Sequence, residues 1–142
     1  MKACTKTALS IIILLSVSSF GYPQAQPDQT ISNRDMSLVD FQDLAYPPVA
    51  RTAHVQGVVV VRLKLDGQGN AEGATAISGP ETLIADCLAN AKKWRFRPNA
   101  QKAAVVIYNF RLTDGISKSG CSHFTLQAPN FATITGCVPE VQ

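Results

Sequence analysis

Val58-Val59-Val60-Val61-Arg62-Leu63-Lys64-Leu65-Asp66-Gly67-Gln68-Gly69-Asn70 is the stretch on which the fold class turns. Its first eight residues are β-branched and aliphatic, broken only by Arg62 and Lys64 at alternate positions. Side chains in a strand point to opposite faces with a period of two, so Val59, Val61, Leu63 and Leu65 line a buried face while the two charges stay solvated. Asp66 to Asn70 is a reversal signal rich in glycine. Ala71 to Ile77 then returns as the second strand of an antiparallel hairpin, weakened by Gly73.

Downstream the period changes. Leu83, Ile84, Cys87, Leu88, Ala91 and Trp94 recur at helical spacing as one apolar stripe. Ser78 and Glu81 have the spacing of a capping box ahead of it. Lys92, Lys93 and Arg95 crowd its last turn, where the helix dipole favours cations, and Pro98 disfavours helical geometry at Arg97. Ala103 to Leu112 is a third strand, with Asn109 and Arg111 on one side and Val106, Tyr108, Phe110 and Leu112 on the other. Upstream, Pro47-Pro48 predicts a short helix starting near Pro48, because proline in the first turn removes no needed donor. Gly57 is expected to end it.

These elements predict an α+β domain over residues 43–115: two helices on a three-stranded antiparallel sheet in the order α-β-β-α-β, the third strand inserted beside the first. His123–Gln127 and Ala132–Thr135, separated by Pro129-Asn130, predict a small hairpin in a tail over residues 116–142. Residues 26–42, with scattered apolar positions and several glutamines, read as a flexible leader. No internal repeat is visible.

Lys2 and Lys6 followed by an apolar run from Ala8 to Phe20 have the pattern of a secretory signal over residues 1–25, with cleavage after Gly21 or Ala25. Thirteen helical residues rise about 20 Å, short of the ~30 Å hydrocarbon core, although an uncleaved inner-membrane anchor is the alternative. The 142 residues carry 13 Lys and Arg against 10 Asp and Glu, a net charge of +3. With Lys2 and Lys6 removed, eleven bases face ten acids. Phosphate neutralisation needs a large basic excess, so a nucleic-acid partner is excluded. Apolar residues at 46% and charged residues at 16% also exclude a disordered, highly charged chain.

Export leaves Cys87, Cys121 and Cys137. Cys121 and Cys137 bound the tail hairpin and are expected to pair in an oxidising compartment, while Cys87 on the helical stripe stays reduced as a small hydrophobe. With no C-x-x-C or H-x-x-x-H spacing, neither a metal nor another cofactor is expected.

Tyr46-Pro47-Pro48-Val49-Ala50-Arg51, Gly57-Val58-Val59-Val60 and Asp66-Gly67-Gln68-Gly69 form the first half of an ordered set. Ser78-Gly79-Pro80, Leu83, Ala91 and Trp94-Arg95-Phe96-Arg97-Pro98 form the second. Together they resemble the C-terminal domain of TonB, the energy transducer of bacterial outer-membrane uptake, over about residues 43–112. The resemblance implies two helices on a three-stranded antiparallel sheet, and a periplasmic role in binding outer-membrane receptors. It further implies that a receptor segment adds as a strand to the domain's last strand. Here the receiving residues would be Val105, Val106, Ile107, Tyr108, Asn109, Phe110, Arg111 and Leu112.

A complete transducer of that family has a membrane-spanning N-terminus and a long proline-rich spacer; this sequence has a signal-like N-terminus, no such spacer and an added tail. The expected product is a free-standing periplasmic binding module. A secreted structural or inhibitory interaction protein is the alternative, and covering of the third strand's edge by the tail would favour it. An enzyme is not expected. His54 and His123 lie far apart in the sequence, and no G-x-S-x-G, H-E-x-x-H or phosphate-cradling loop occurs.

Overall fold

The computed structural model describes residues 36–115 and 121–138. Its elements are β1 (Leu38–Asp40), α1 (Pro48–Thr52), β2 (Gly57–Leu65), β3 (Ala71–Ser78), α2 (Glu81–Ala91), β4 (Arg95–Phe96), β5 (Ala103–Thr113), β6 (Ser122–Ala128) and β7 (Phe131–Cys137). The segment expected to carry the export signal lies outside the described residues.

The hairpin read from residues 58–77 forms as β2 and β3, and β5 pairs antiparallel with β2 from Gly57↔Phe110 to Lys64↔Ala103. Val59, Val61, Leu63 and Leu65 meet Ala104, Val106, Tyr108 and Phe110 on one buried face. The α2 stripe packs on it, with Leu83, Cys87, Ala91 and Trp94 fully buried. The Asp66 carboxylate builds the turn: Oδ1 accepts from the N–H groups of Gln68 and Asn70, both at 2.8 Å, and Oδ2 from Asn70 Nδ2 at 2.9 Å. The Asn70 side-chain bond, first among these, holds the Asp66 carboxyl below its ordinary range.

The sheet has five strands, not three, in the order β3-β2-β5-β7-β6. The tail hairpin is not a separate unit. It joins the same sheet, with β7 parallel to β5 and antiparallel to β6. The reason is burial. Ala132 and Ile134 complete the core face with no exposure, and Gly136 lies so close to Tyr46 that an added Cβ would stand 2.7 Å from the ring. No disulfide bond joins Cys121 and Cys137 in this structure. They are nonetheless cross-strand partners, one step beyond Ser122↔Gly136, with the Cys137 N–H donating to Cys121 O at 3.2 Å.

Residues 36–42 of the expected flexible leader are part of the fold. Met36 is buried and Leu38 pairs with Phe96 in a two-stranded ribbon, so this segment straps across the end of α2. Several local readings also shift. Helix α1 turns off at Ala53 and at His54, which has φ +54°, three residues before Gly57. The Ser78–Glu81 capping box does not form, because Ser78 stays in β3 and Pro80 is the N-cap. Helix α2 ends at Ala91, well before Pro98, because Arg95 and Phe96 leave to pair with β1.

Candidate functional site

The eight residues from Val105 to Leu112 all lie on β5. Val106, Tyr108 and Phe110 face the helices and are buried; Val105, Ile107 and Asn109 sit half-buried on the opposite face, with Arg111 exposed. The edge on which a partner segment was expected is closed. Met36 Sδ accepts the Val105 N–H at 3.3 Å, and Asn130 O accepts the Ile107 N–H at 2.7 Å. From there β7 follows β5 in register from Ile107↔Phe131 to Thr113↔Cys137. The Val138 N–H finishes the ladder on Thr113 O at 3.1 Å. A strand with partners on both sides has no backbone groups left to offer. One sequence signal anticipates this: Ala132 and Ile134 alternate with Thr133 and Thr135, the period of a strand with one buried face.

The five-stranded order leaves β3 and β6 as its edges. Strand β3 slips register twice against β2 and carries Glu72, paired to Lys64 at 3.2 Å. Bulges and charge are devices that discourage edge pairing. Strand β6, Ser-His-Phe-Thr-Leu-Gln-Ala, has no proline and no carboxylate, lysine or arginine. Its Ser122, Phe124 and Leu126 side chains lean towards the helix side, half-buried, while His123, Thr125 and Gln127 are exposed.

A shelf lies alongside β6. The Phe41 ring stacks on Phe124, with centroids 5.8 Å apart and planes at 18°. Asp43, Leu44, Ala45, Ser122 and Phe124 line an open depression of about 220 Å³. The shelf is held from beneath by Asn90, a polar residue that the stripe reading passed over. Asn90 Nδ2 donates to the carbonyls of Gln42 and Asp43, each at 3.0 Å. Its Oδ1 accepts from Trp94 Nε1 at 2.9 Å and from the Tyr108 hydroxyl at 2.8 Å. All four hydrogen bonds of a buried amide are therefore made, and they join the strap, α2 and β5. The Tyr46 N–H donates to Ser122 Oγ at 2.7 Å, which ties the same segment to the start of β6.

Burial, with a smaller contribution from Asp86, pushes the Cys87 thiol up to about 12, so it is protonated and unreactive at neutral pH. His54 and His123 are both exposed. Among the described residues no group of three or more His, Cys, Asp or Glu is placed to hold a metal ion, and no helix is long and apolar enough to cross a membrane.

No curated protein and no solved structure matches the chain. Residues 42–112 match the family described as Gram-negative bacterial TonB protein C-terminal. Domains of that family are periplasmic protein-interaction modules that act in transport, not enzymes. The match spans half of the sequence and takes in α1, β2, β3, α2, β4 and nearly all of β5, so the chain belongs to the TonB C-terminal domain family.

Proposed function

We propose that this protein is a periplasmic binding module that engages a segment of an outer-membrane receptor by β-strand addition in energy-coupled uptake. The observations that carry the reading are the family match over residues 42–112 and, beyond it in the same sheet, an outer strand β6 that holds no Asp, Glu, Lys, Arg or Pro and has β7 as its one strand partner among the described residues. Strand addition satisfies the unpaired N–H and C=O groups of such an edge, while alternate side chains select the sequence. Val105 to Leu112 serve from the sheet's centre, as the strand on which the tail hairpin is built. Export through the N-terminal segment delivers the domain to the receptors' periplasmic side.

In that oxidising compartment Cys121 and Cys137 form a disulfide. Cross-strand partners hold their Cβ atoms about 4.5–5.5 Å apart, and a disulfide needs about 3.5–4.5 Å, a small local adjustment. The closed loop would hold β6 against β7.

One observation favours a second reading, that of a secreted structural or inhibitory protein: β7 covers the edge that the resemblance assigns to the receptor. Calorimetric titration of the mature chain with soluble peptides copying the N-terminal segments of outer-membrane receptors separates the two. Saturable heat at micromolar concentration supports the transport role. Absence of heat with every such peptide favours the second.

A further inference from the structure

We infer that the strand receiving a partner is β6, two positions further out in the sheet than β5, and that its occupant is an extended peptide with apolar side chains at alternate positions and one long basic side chain. The inference rests on the strand-addition reading above and names its surface.

Displacement of β7 from β5 is opposed by the structure. It would break a seven-residue ladder, expose Ala132 and Ile134, and unseat Gly136 from Tyr46. The opposite edge, β3, is blunted by its two register slips and Glu72. Strand β6 has no Asp, Glu, Lys, Arg or Pro along its seven residues, and a single slip near its end.

The direction of its backbone groups follows from one bond. Cys137 N–H donates to Cys121 O, so odd-numbered positions of β6 face β7. Ser122, Phe124 and Leu126 therefore turn their N–H and C=O groups to the open side, and no backbone partner meets them among the described residues. A strand laid there would place alternate side chains on the shelf of Phe41 and Phe124. The adjoining depression is lined by the apolar Leu44, Ala45 and Phe124 and by the acidic Asp43. That combination suits a lysine or arginine, whose stem packs on apolar surface while its head meets the acid. The exposed His123, Thr125 and Gln127 select polar residues at the intervening positions.

The test compares Leu126→Pro with Leu126→Ala in the full mature chain, titrated with soluble ten-residue peptides copying receptor N-terminal segments. Both variants lose the same packing. Only proline removes the outward N–H, while the ladder to β7 runs through the odd positions and is kept. We expect Leu126→Pro to bind at least tenfold more weakly than Leu126→Ala, with both folded by circular dichroism. Asp43→Asn is expected to weaken peptides carrying lysine or arginine and to leave neutral ones unchanged. In hydrogen exchange, wild type plus peptide should gain protection at Ser122, Phe124 and Leu126. Equal binding by the two Leu126 variants, or protection gained on β3 instead, overturns the β6 assignment while leaving strand addition standing. A chain that is already a dimer without peptide, with those β6 amides protected, makes the occupant a second copy and overturns it as well. Failure of wild type to bind any peptide overturns strand addition itself.

Discussion

Replacing Asn90 with alanine should cost about 4 kcal/mol, far more than the loss of a surface amide. Asn90 is only 4% exposed, and its Oδ1 is the acceptor for both Trp94 Nε1 and the Tyr108 hydroxyl. Both donors belong to residues with no exposure, so alanine leaves two buried N–H and O–H groups unpaired. Each such group costs ~1–3 kcal/mol. The Gln42 and Asp43 carbonyls belong to exposed residues and can turn to water, so they add little. At ~4 °C per kcal/mol for a domain of this size, the midpoint should fall by roughly 15 °C. Urea unfolding followed by fluorescence of Trp94, the single tryptophan, measures the cost. Tyr108→Phe in the Asn90→Ala background should recover part of the loss, because one orphaned donor is then absent. Asn90→Asp isolates the donor side of the network. It keeps the acceptor for Trp94 and Tyr108 but sets an oxygen against the Gln42 and Asp43 carbonyls, and should cost less than Asn90→Ala. A loss under about 1 kcal/mol for Asn90→Ala, or no recovery on adding Tyr108→Phe, would refute the claim that this amide ties strap, helix and sheet together.

Gly136→Ala should destabilise the protein by ~1–3 kcal/mol, since the new methyl meets the Tyr46 ring at 2.7 Å and Leu112 at 3.2 Å; an unchanged urea midpoint would mean that the hairpin is not seated as described. Native Cys87 should resist thiol reagents and react only in urea. Its folded value of about 12 lies above the ordinary 9.0, so its contribution is complete below about pH 9 and is lost as pH rises towards 12, by up to ~1.4 kcal/mol per pH unit. Cys87→Ala should flatten that alkaline fall only in part, because burial raises the Tyr108 hydroxyl too, as pH-dependent unfolding curves would register. Non-reducing peptide mapping of the exported protein should find Cys121 joined to Cys137, and a bond from Cys87 to either would overturn that pairing.

The regular elements were legible where their information is local. The alternation of Arg62 and Lys64 with Val61, Leu63 and Leu65 needs no distant partner to mark a strand with one buried face. The Leu83–Cys87–Ala91–Trp94 spacing likewise marks the helix face that packs, and all four are fully buried. Asn90 escaped because its value lies in partners 47 and 48 residues earlier and 18 residues later, which no period encodes. Met36 and Leu38 escaped for a related reason. In a polar segment two apolar residues carry little signal until Val105 and Phe96 are brought beside them.

The candidate site shows the same division. The tail's two strands and its turn at Pro129-Asn130 were readable, and so was a third strand over Val105 to Leu112 with the alternation of a sheet. Whether that strand is an edge depends on which neighbour wins its outer hydrogen bonds, and this is a contest between segments far apart in sequence. Burial of Ala132 and Ile134 decides it for β7, and β6 becomes the edge as a consequence. Sequence by itself determined strands β2, β3, β5, β6 and β7, the packing face of α2 and the family, because periodicity and an ordered motif set are properties of neighbouring residues. Only the tertiary structure decided the sheet order and the open edge, because strand pairing satisfies backbone groups that are chemically alike along the chain, and side-chain packing alone selects among them.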